Sequence, residues 1–483
     1  TMSNNLRLKV ENNVLVAKTA VASSFQMAYI DFGLDLGNVE FNDIYMLPLL
    51  YRLMLTSGTK QYLPEQLPDQ IRKFSNGIKI ETMVEDVKTS SEDPKSKYYV
   101  MPGTHLVTKV FFRGRCLGNT VVQYLGLLQE IIFTGKPFQE ETVIKTLKDM
   151  EEEYEEKLVE EGNLLVRKRM EARYSYHAMI SETLEGLYAF RRIVEMNSPG
   201  YDIKSLLERL EKVRSQIIEG HRNGMIMSIT SEASWLDASD EVFSEFLEMN
   251  VPPNDKASPF KNPADNAHPW IPQMKMEQSK LFPIEDEGFV GPTTVSYVGK
   301  ANKLFEVGEL VDGSTSVVAK FLEDGYLFQT VQKEGGAVDV HVHLNFRHGT
   351  INFVSFRDPN IAQTLAVFDK IQGELSRSVL GTKELPDGAH EAIIATIGAL
   401  DGVAPQPDAV GWEFLKEYIR DDNLEFRQTW RDQILNTTRD NFVDFINKFL
   451  ELEQPSVAVL SSQEGLQETL NNTSVKLKVV ELK

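Results

Sequence analysis

The chain has 483 residues, a formal net charge of −20, one cysteine and a hydrophobic fraction of 42%. That length exceeds a single hydrophobic core, which usually stops growing near ~250 residues, so two large domains or three smaller ones are expected. The acidic balance excludes the clustered Lys and Arg that nucleic acid requires, and a lone thiol, Cys116, excludes an intrachain disulfide, a zinc-thiolate site and an iron–sulfur site.

No run of 18 apolar residues occurs, so no membrane-spanning helix is expected, and no leader segment is legible at the start. Leu6, Leu8 and Val10 alternate with Arg7 and Lys9, the period of a strand with one solvent face. Residues 14–17 and 27–34 read as further strands. Asn42-Asp43 caps an apolar helix over 44–54 that ends at Ser57-Gly58. A short helix at 64–74 stops at Asn76-Gly77 and leads into a strand at 78–84. Residues 85–100, charged and serine-rich, read as a surface loop, and 105–113 as a strand. Helical patterns follow at 119–133, 140–160 and 163–195, the middle one carrying an acidic run read as a solvated face. An amphipathic helix at 201–219, a strand at 225–229 and a helix at 237–248 complete the first unit.

From Val251 through Pro272 the sequence is rich in proline, asparagine and lysine and has no periodicity, which marks an interdomain linker over 251–280. Beyond it come a strand at 289–297, an apolar helix at 314–327, and strands at 337–344 and 350–355 joined by Arg347-His348-Gly349. Helices are predicted at 360–375, 386–398, 407–418, 424–435 and 438–450, and a strand at 456–460. Two successive runs of strand, helix, strands, long helices and strand predict an α+β fold of two tandem homologous domains, 1–250 and 281–483. Each is expected to be an antiparallel-rich mixed sheet with helices packed on one face.

A zinc peptidase centre needs two histidines one helical turn apart, a third ligand and a glutamate base. None of the eight histidines falls in H-E-x-x-H or H-x-x-E-H, and no nucleophile-elbow, Walker or dinucleotide glycine motif occurs. His341 and His343 share one face of the expected strand, with His348 close behind. Only Asp339 and Glu334 supply carboxylates nearby, so these imidazoles read as strand histidines rather than metal ligands. Gly335-Gly336, between a helix and a strand, permit a tight entry or a close backbone approach to a ligand. Arg357, in Ser355-Phe356-Arg357-Asp358-Pro359-Asn360, either holds a turn or offers five donors to a peptide carboxylate or carbonyl. No catalytic residue and no metal site is expected within this chain.

Several of these segments carry a family pattern. Leu55-Thr56-Ser57-Gly58-Thr59-Lys60-Gln61-Tyr62, Ser75-Asn76-Gly77-Ile78 and Phe112-Arg113-Gly114-Arg115-Cys116-Leu117 come first. Lys333-Glu334-Gly335-Gly336-Ala337, the Ser355 to Asn360 segment and Arg431-Asp432-Gln433-Ile434-Leu435-Asn436-Thr437-Thr438 follow in order. Together they resemble the C-terminal half of the presequence protease and falcilysin branch of the pitrilysin-type (M16) zinc metallopeptidases.

The resemblance implies a clamshell of four homologous α+β domains, of which this chain is the third and fourth. It implies zinc and a catalytic glutamate in an N-terminal half of the same polypeptide, and no cofactor in this chain. This half would close a peptide chamber and orient unfolded peptides, and the acidic balance suits basic ones. Neither nucleic acid nor membrane is an expected partner. Relatives sit mainly in mitochondria, plastids or parasite organelles, which points to the mitochondrial matrix or another organelle, with the cytoplasm as the alternative. In active relatives this half donates an arginine and a tyrosine from a motif like R-x-x-G-G-A-Y. Aligned on Gly335-Gly336-Ala337, Gln332 and Val338 stand in those places. Gln332 donates a hydrogen bond but no charge, and Val338 donates nothing. The substrate-contacting residues expected are Gln332, Gly335, Gly336, Val338, His341, His343 and Arg357. The alternative is half of a catalytically degenerate M16 paralogue with a structural or peptide-binding role.

Overall fold

The computed structural model describes residues 5–88, 97–219, 223–251, 258–261, 267–402, 406–452 and 455–483. Its strands in chain order are β1 (Leu6–Glu11), β2 (Val14–Val21), β3 (Met27–Asp35), β4 (Ile78–Asp86), β5 (Tyr99–Val100), β6 (Leu106–Leu117) and β7 (Ile226–Glu232). The second run comprises β8 (Glu287–Val290), β9 (Tyr297–Lys303), β10 (Leu310–Val311), β11 (Asp339–Asn345), β12 (Thr350–Phe356), β13 (Ser456–Ser461) and β14 (Lys478–Glu481). They form two six-stranded mixed sheets, ordered β1-β2-β7-β3-β6-β4 and β11-β12-β9-β13-β8-β14, while β5 pairs with β10 across the two runs.

The duplication holds at the level of pairing. Read from one edge, β4-β6-β3-β7-β2 matches β11-β12-β9-β13-β8. In each sheet the first three of these pairings are antiparallel and the last, β7 with β2 or β13 with β8, is parallel. The remaining edges differ. β1 joins β2 antiparallel through Asn12-Asn13, both at positive φ as a tight hairpin turn requires, whereas β14 runs parallel to β8.

Several elements depart from the sequence expectation. The helix predicted over 163–195 is broken into Gly162–Glu171, Tyr176–Glu185 and Leu187–Met196. Ser175 caps the second piece by accepting the Ala178 N–H, and the extended backbone of Gly186 ends it. The strand predicted over 289–297 is two strands, β8 and β9. The helix beginning at Ser314 continues as π-helical turns over Glu323–Glu334. Residues 252–257 and 262–266 of the segment read as a linker lie outside the described residues, and its end forms the helix Ile271–Leu281.

Each sheet carries its own helices on one face, as expected: Val121–Phe133 and Ile203–Glu219 on the first, Ser314–Leu322 and Ile361–Leu380 on the second. The opposite faces are covered by exchange. Helix Gly162–Glu171, from the first run, packs its Leu165, Val166 and Met170 on the second sheet with Tyr297, Ala301, Val354, Ala458 and Leu460. Helix Pro407–Arg420, from the second run, packs Leu415 and Ile419 on the first sheet with Leu15, Ala17, Phe111 and Ile226. Glycines set the approach distance. A Cβ at Gly162 would enter the Tyr297 ring, one at Gly299 would stand 2.5 Å from Met170 Cε, and one at Gly411 would strike Thr230 Oγ1.

Helix Gly162–Glu171 is also pinned by charge. Arg169 donates bidentately to Glu287 of β8 at 2.8 and 2.8 Å and to the Leu281 carbonyl at 3.0 Å. Arg173 donates to the same carboxylate and, at 3.2 Å, to the Val457 carbonyl. Glu287 is 3% exposed, so its burial is offset by two guanidiniums. On the other side, Trp270 donates to the Val39 carbonyl at 2.6 Å and buried His268 stands 2.7 Å from the Thr108 hydroxyl.

Two outcomes follow from this packing. Gly411→Ala is expected to lower the urea midpoint, because overpacking of about 1–3 kcal/mol outweighs a helix-propensity gain of up to about 1 kcal/mol. Gly373→Ala, in the helix Ile361–Leu380 with nothing within 4 Å of its Cβ position, is expected to raise it. Burial, with Lys109 near, lowers the His268 pKa from 6.5 to about 4. The unfolded chain therefore takes up that proton first. Stability from this group is full above pH 6.5 and is lost as pH falls toward 4, so midpoints at pH 7 and pH 5 should differ less in His268→Gln.

Candidate functional site

The residues singled out near β11 sit where the π-helical turns end. Gly336 N–H and Ala337 N–H close that helix by donating to the Gln332 and Val331 carbonyls, each at 3.1 Å. A Cβ at Gly335 would stand 2.6 Å from the Val331 carbonyl oxygen, and Gly336 has φ +80°, a left-handed conformation that glycine adopts without strain. Asn360 then donates to the Gly335 carbonyl at 2.6 Å. The glycine pair thus serves chain reversal. Gln332 is half-buried and Val338 is 57% exposed, so both flank this turn at the surface.

Arg357 is exposed at φ +49°, with its guanidinium 5.1 Å from the Phe356 ring. The work of its segment falls to Asp358, which is wholly buried. Asp358 accepts from the Asn360 N–H at 2.8 Å and the Thr364 hydroxyl at 2.6 Å, and its backbone bridges Ser296. Thr364 lies in the first turn of the helix Ile361–Leu380 that follows, so this carboxylate fastens β12 to its own outgoing helix.

The three neighbouring histidines do not gather on one group: His343 and His348 both reach Glu171, and His341 turns elsewhere. His341 lies 3.4 Å from Asp339 and 3.8 Å from Glu323, and Glu323 also accepts the Val342 N–H at 2.8 Å. The Glu323 contact raises the His341 pKa, while burial outweighed by His341, Lys320 and that backbone N–H leaves Glu323 at about 2. His343 turns toward Glu171 at 3.8 Å, and burial with Arg167 near lowers its pKa to about 4.

His348 belongs to a different constellation, built where the helix break of the first run meets the β11–β12 turn of the second. Asp86, the last residue of β4, receives His177 Nδ1 at 2.9 Å and His348 Nε2 at 3.3 Å. His348 Nδ1 faces the other way, 2.7 Å from the Asn345 amide and 3.6 Å from Glu171 at the end of the exchanged helix. Glu171 accepts from Asn352 at 2.9 Å. Burial opposes charge on His348, but Asp86 and Glu171 on its two sides hold its pKa at about 9. Burial likewise opposes ionisation of the two carboxylates, yet the histidines hold Asp86 well below the carboxylate range and His348 with His343 leaves Glu171 at about 2. The other exchanged helix ends beside it. Arg420 lies 3.6 Å from Glu85 and 3.5 Å from Asp422, and Asp422 pairs with Arg347 at 2.6 Å.

A cavity of about 330 Å³ opens on this junction, with Asp86, His177, His348, Arg173, Tyr174 and Arg347 in its wall. Among the described residues, Asp86, His177 and His348 are the group whose ligand atoms all lie within 4.8 Å of one another. Sequence reasoning missed Asp86 and His177. They lie 91 residues apart, and no periodic spacing links them. The one available signal was Ser175, a residue type that caps a new helix inside the long helical pattern.

A family model described as the PreP C-terminal domain matches residues 286–461, and one described as associated with the C group of M16 peptidases matches residues 8–196. Presequence protease 1, chloroplastic/mitochondrial, from Arabidopsis thaliana is 26% identical over 452 residues, which cover 92% of this chain and 38% of that protein. The mitochondrial presequence protease of Mus musculus is 23% identical over 359 residues, covering 71% and 33%. The chain therefore spans well under half the length of these curated relatives. The solved peptidase M16 inactive domain from Pseudomonas fluorescens shares the fold at a TM-score of 0.58 and 11% identity, over 99% of this chain and 100% of that one.

Because Arg357 holds a left-handed conformation and Asp358 makes the turn, Arg357→Gly is expected to raise the melting temperature by relieving roughly 1 kcal/mol of backbone strain. A lower melting temperature would show that the guanidinium anchors the turn.

Proposed function

This chain is a presequence protease-like C-terminal half of the M16 peptidase type, and on that premise we propose that it is the non-catalytic half of a zinc-dependent oligopeptidase, closing the peptide chamber and orienting substrate. In this reading the zinc ion and its glutamate base belong to an N-terminal half of the same polypeptide. Residues 1–250 and 281–483 are the third and fourth of four homologous domains, joined by 251–280. The supporting observation is one of coverage and order: two family segments cover most strands of each sheet, while the matched region is 38% of the Arabidopsis relative.

The part of the surface proposed to meet peptide is the turn from Gln332 to Val338, with exposed Phe328 and His341 beside it. Gln332 donates an amide N–H to a peptide carbonyl, and Val338 offers an apolar wall. His343 and Arg357 extend the same proposed contact. A net charge of −20 supports a preference for unfolded basic peptides, and the chloroplastic and mitochondrial relatives support an organelle location. Gln332 and Val338 also favour the second reading, a degenerate paralogue that holds peptides without aiding their hydrolysis.

Peptide hydrolysis by the intact protein separates the two. Under the orienting role, Gln332→Arg combined with Val338→Tyr raises kcat for a basic presequence-like peptide by about 10-fold or more with little change in KM, since a lost oxyanion donor typically costs ~10²–10³-fold. An unchanged kcat would assign this half a structural role.

A further inference from the structure

We propose that Asp86, His177 and His348 form a zinc site at the junction of the two sheets, separate from the catalytic zinc assigned above to the N-terminal half. The donor set is two imidazole nitrogens and one carboxylate oxygen, which suits Zn²⁺ rather than Mg²⁺ or Ca²⁺. With bonds of about 2.0–2.1 Å, tetrahedral ligand atoms stand about 3.3 Å apart. Here Asp86 Oδ2 lies 2.9 Å from His177 Nδ1 and 3.3 Å from His348 Nε2, with all three ligand atoms within 4.8 Å. Both edges that meet at Asp86 are thus within about 0.4 Å of the tetrahedral value.

Three further features fit a built site. His348 Nδ1 faces Glu171 at 3.6 Å, a carboxylate placed to accept the Nδ1–H of an imidazole that ligates through Nε2. Asp86 and Glu171 are 7% and 6% exposed and flank His348, so a divalent cation would take the place of the proton His348 holds between two buried carboxylates. All three ligands stand in the wall of the cavity of about 330 Å³, which leaves room for a water as fourth ligand. The ligands come from β4, the helix beginning at Tyr176 and the β11–β12 turn, so the ion would staple the two runs of the chain together.

The test uses the whole chain after dialysis against a chelator. Titration calorimetry with Zn²⁺ is expected to give one tight equivalent, with a rise in melting temperature, and Co²⁺ to give the visible bands of a tetrahedral ion. His177→Ala, whose side chain is 21% exposed and the least buried of the three, should lose that equivalent, with affinity weakened at least 100-fold. Glu171→Gln should weaken it by about 10–100-fold, and His341→Ala should leave it unchanged. If circular dichroism shows His177→Ala unfolded, His177→Gln takes its place. No stoichiometric uptake, an undiminished affinity in the His177 variant, or loss in His341→Ala would each overturn the site.

Discussion

The carboxylate of Glu287, buried between Arg169 and Arg173, is the contact on which the arrangement of the molecule rests. It ties a helix from the first run of the chain to the first strand of the second sheet. Two buried guanidiniums and one buried carboxylate tolerate no partial separation, since a lone charge left there costs several kcal/mol. The apolar contacts around it, Val166 and Met170 on Gly299 and Gly162 on Tyr297, supply the burial, and the ion triad fixes the register. Because the second run returns a helix to the first sheet, each sheet is completed by the other's sequence. Neither run buries both faces of its sheet without the other.

The same exchange builds the junction. The two exchanged helices end within a few side chains of each other, at Glu171 and at Arg420, and β4 delivers Glu85 and Asp86 between them. Breaking the helix after Glu171 turns the chain so that Arg173 reaches Glu287 and His177 reaches Asp86. A continuous helix over 163–195 would carry these side chains away from the second sheet. The interruption is therefore the step that converts packing into a polar centre.

The family-pattern residues divide by physical role. Gly335 and Gly336 end a helix, Asp358 fastens a strand to a helix, and Gly114 gives room to Tyr124. These positions are explained by backbone geometry and close packing. Gln332 and Val338 flank the helix-ending turn at the surface without such a duty, whereas Arg357 holds a left-handed conformation in the turn before Asp358.

Much of the fold was legible in the sequence because the information is local. Period-2 alternation in residues 6–10 gave β1, apolar strand runs gave β3 and β6, and the repetition of strand and helix patterns gave a duplicated α+β architecture. Boundaries failed where a local signal competes with a tertiary one, as in the π-helical extension to Glu334 and the splitting of residues 289–297 into β8 and β9. Which helix covers which sheet carries no local signature, because an apolar stripe fits any complementary face. The meeting of Asp86, His177 and His348 likewise depends on chain segments brought together only by the exchange. The sequence by itself determined the elements, their repetition and the family pattern. The tertiary structure alone decided their partners, since burial and charge pairing act between residues that distance along the chain does not relate.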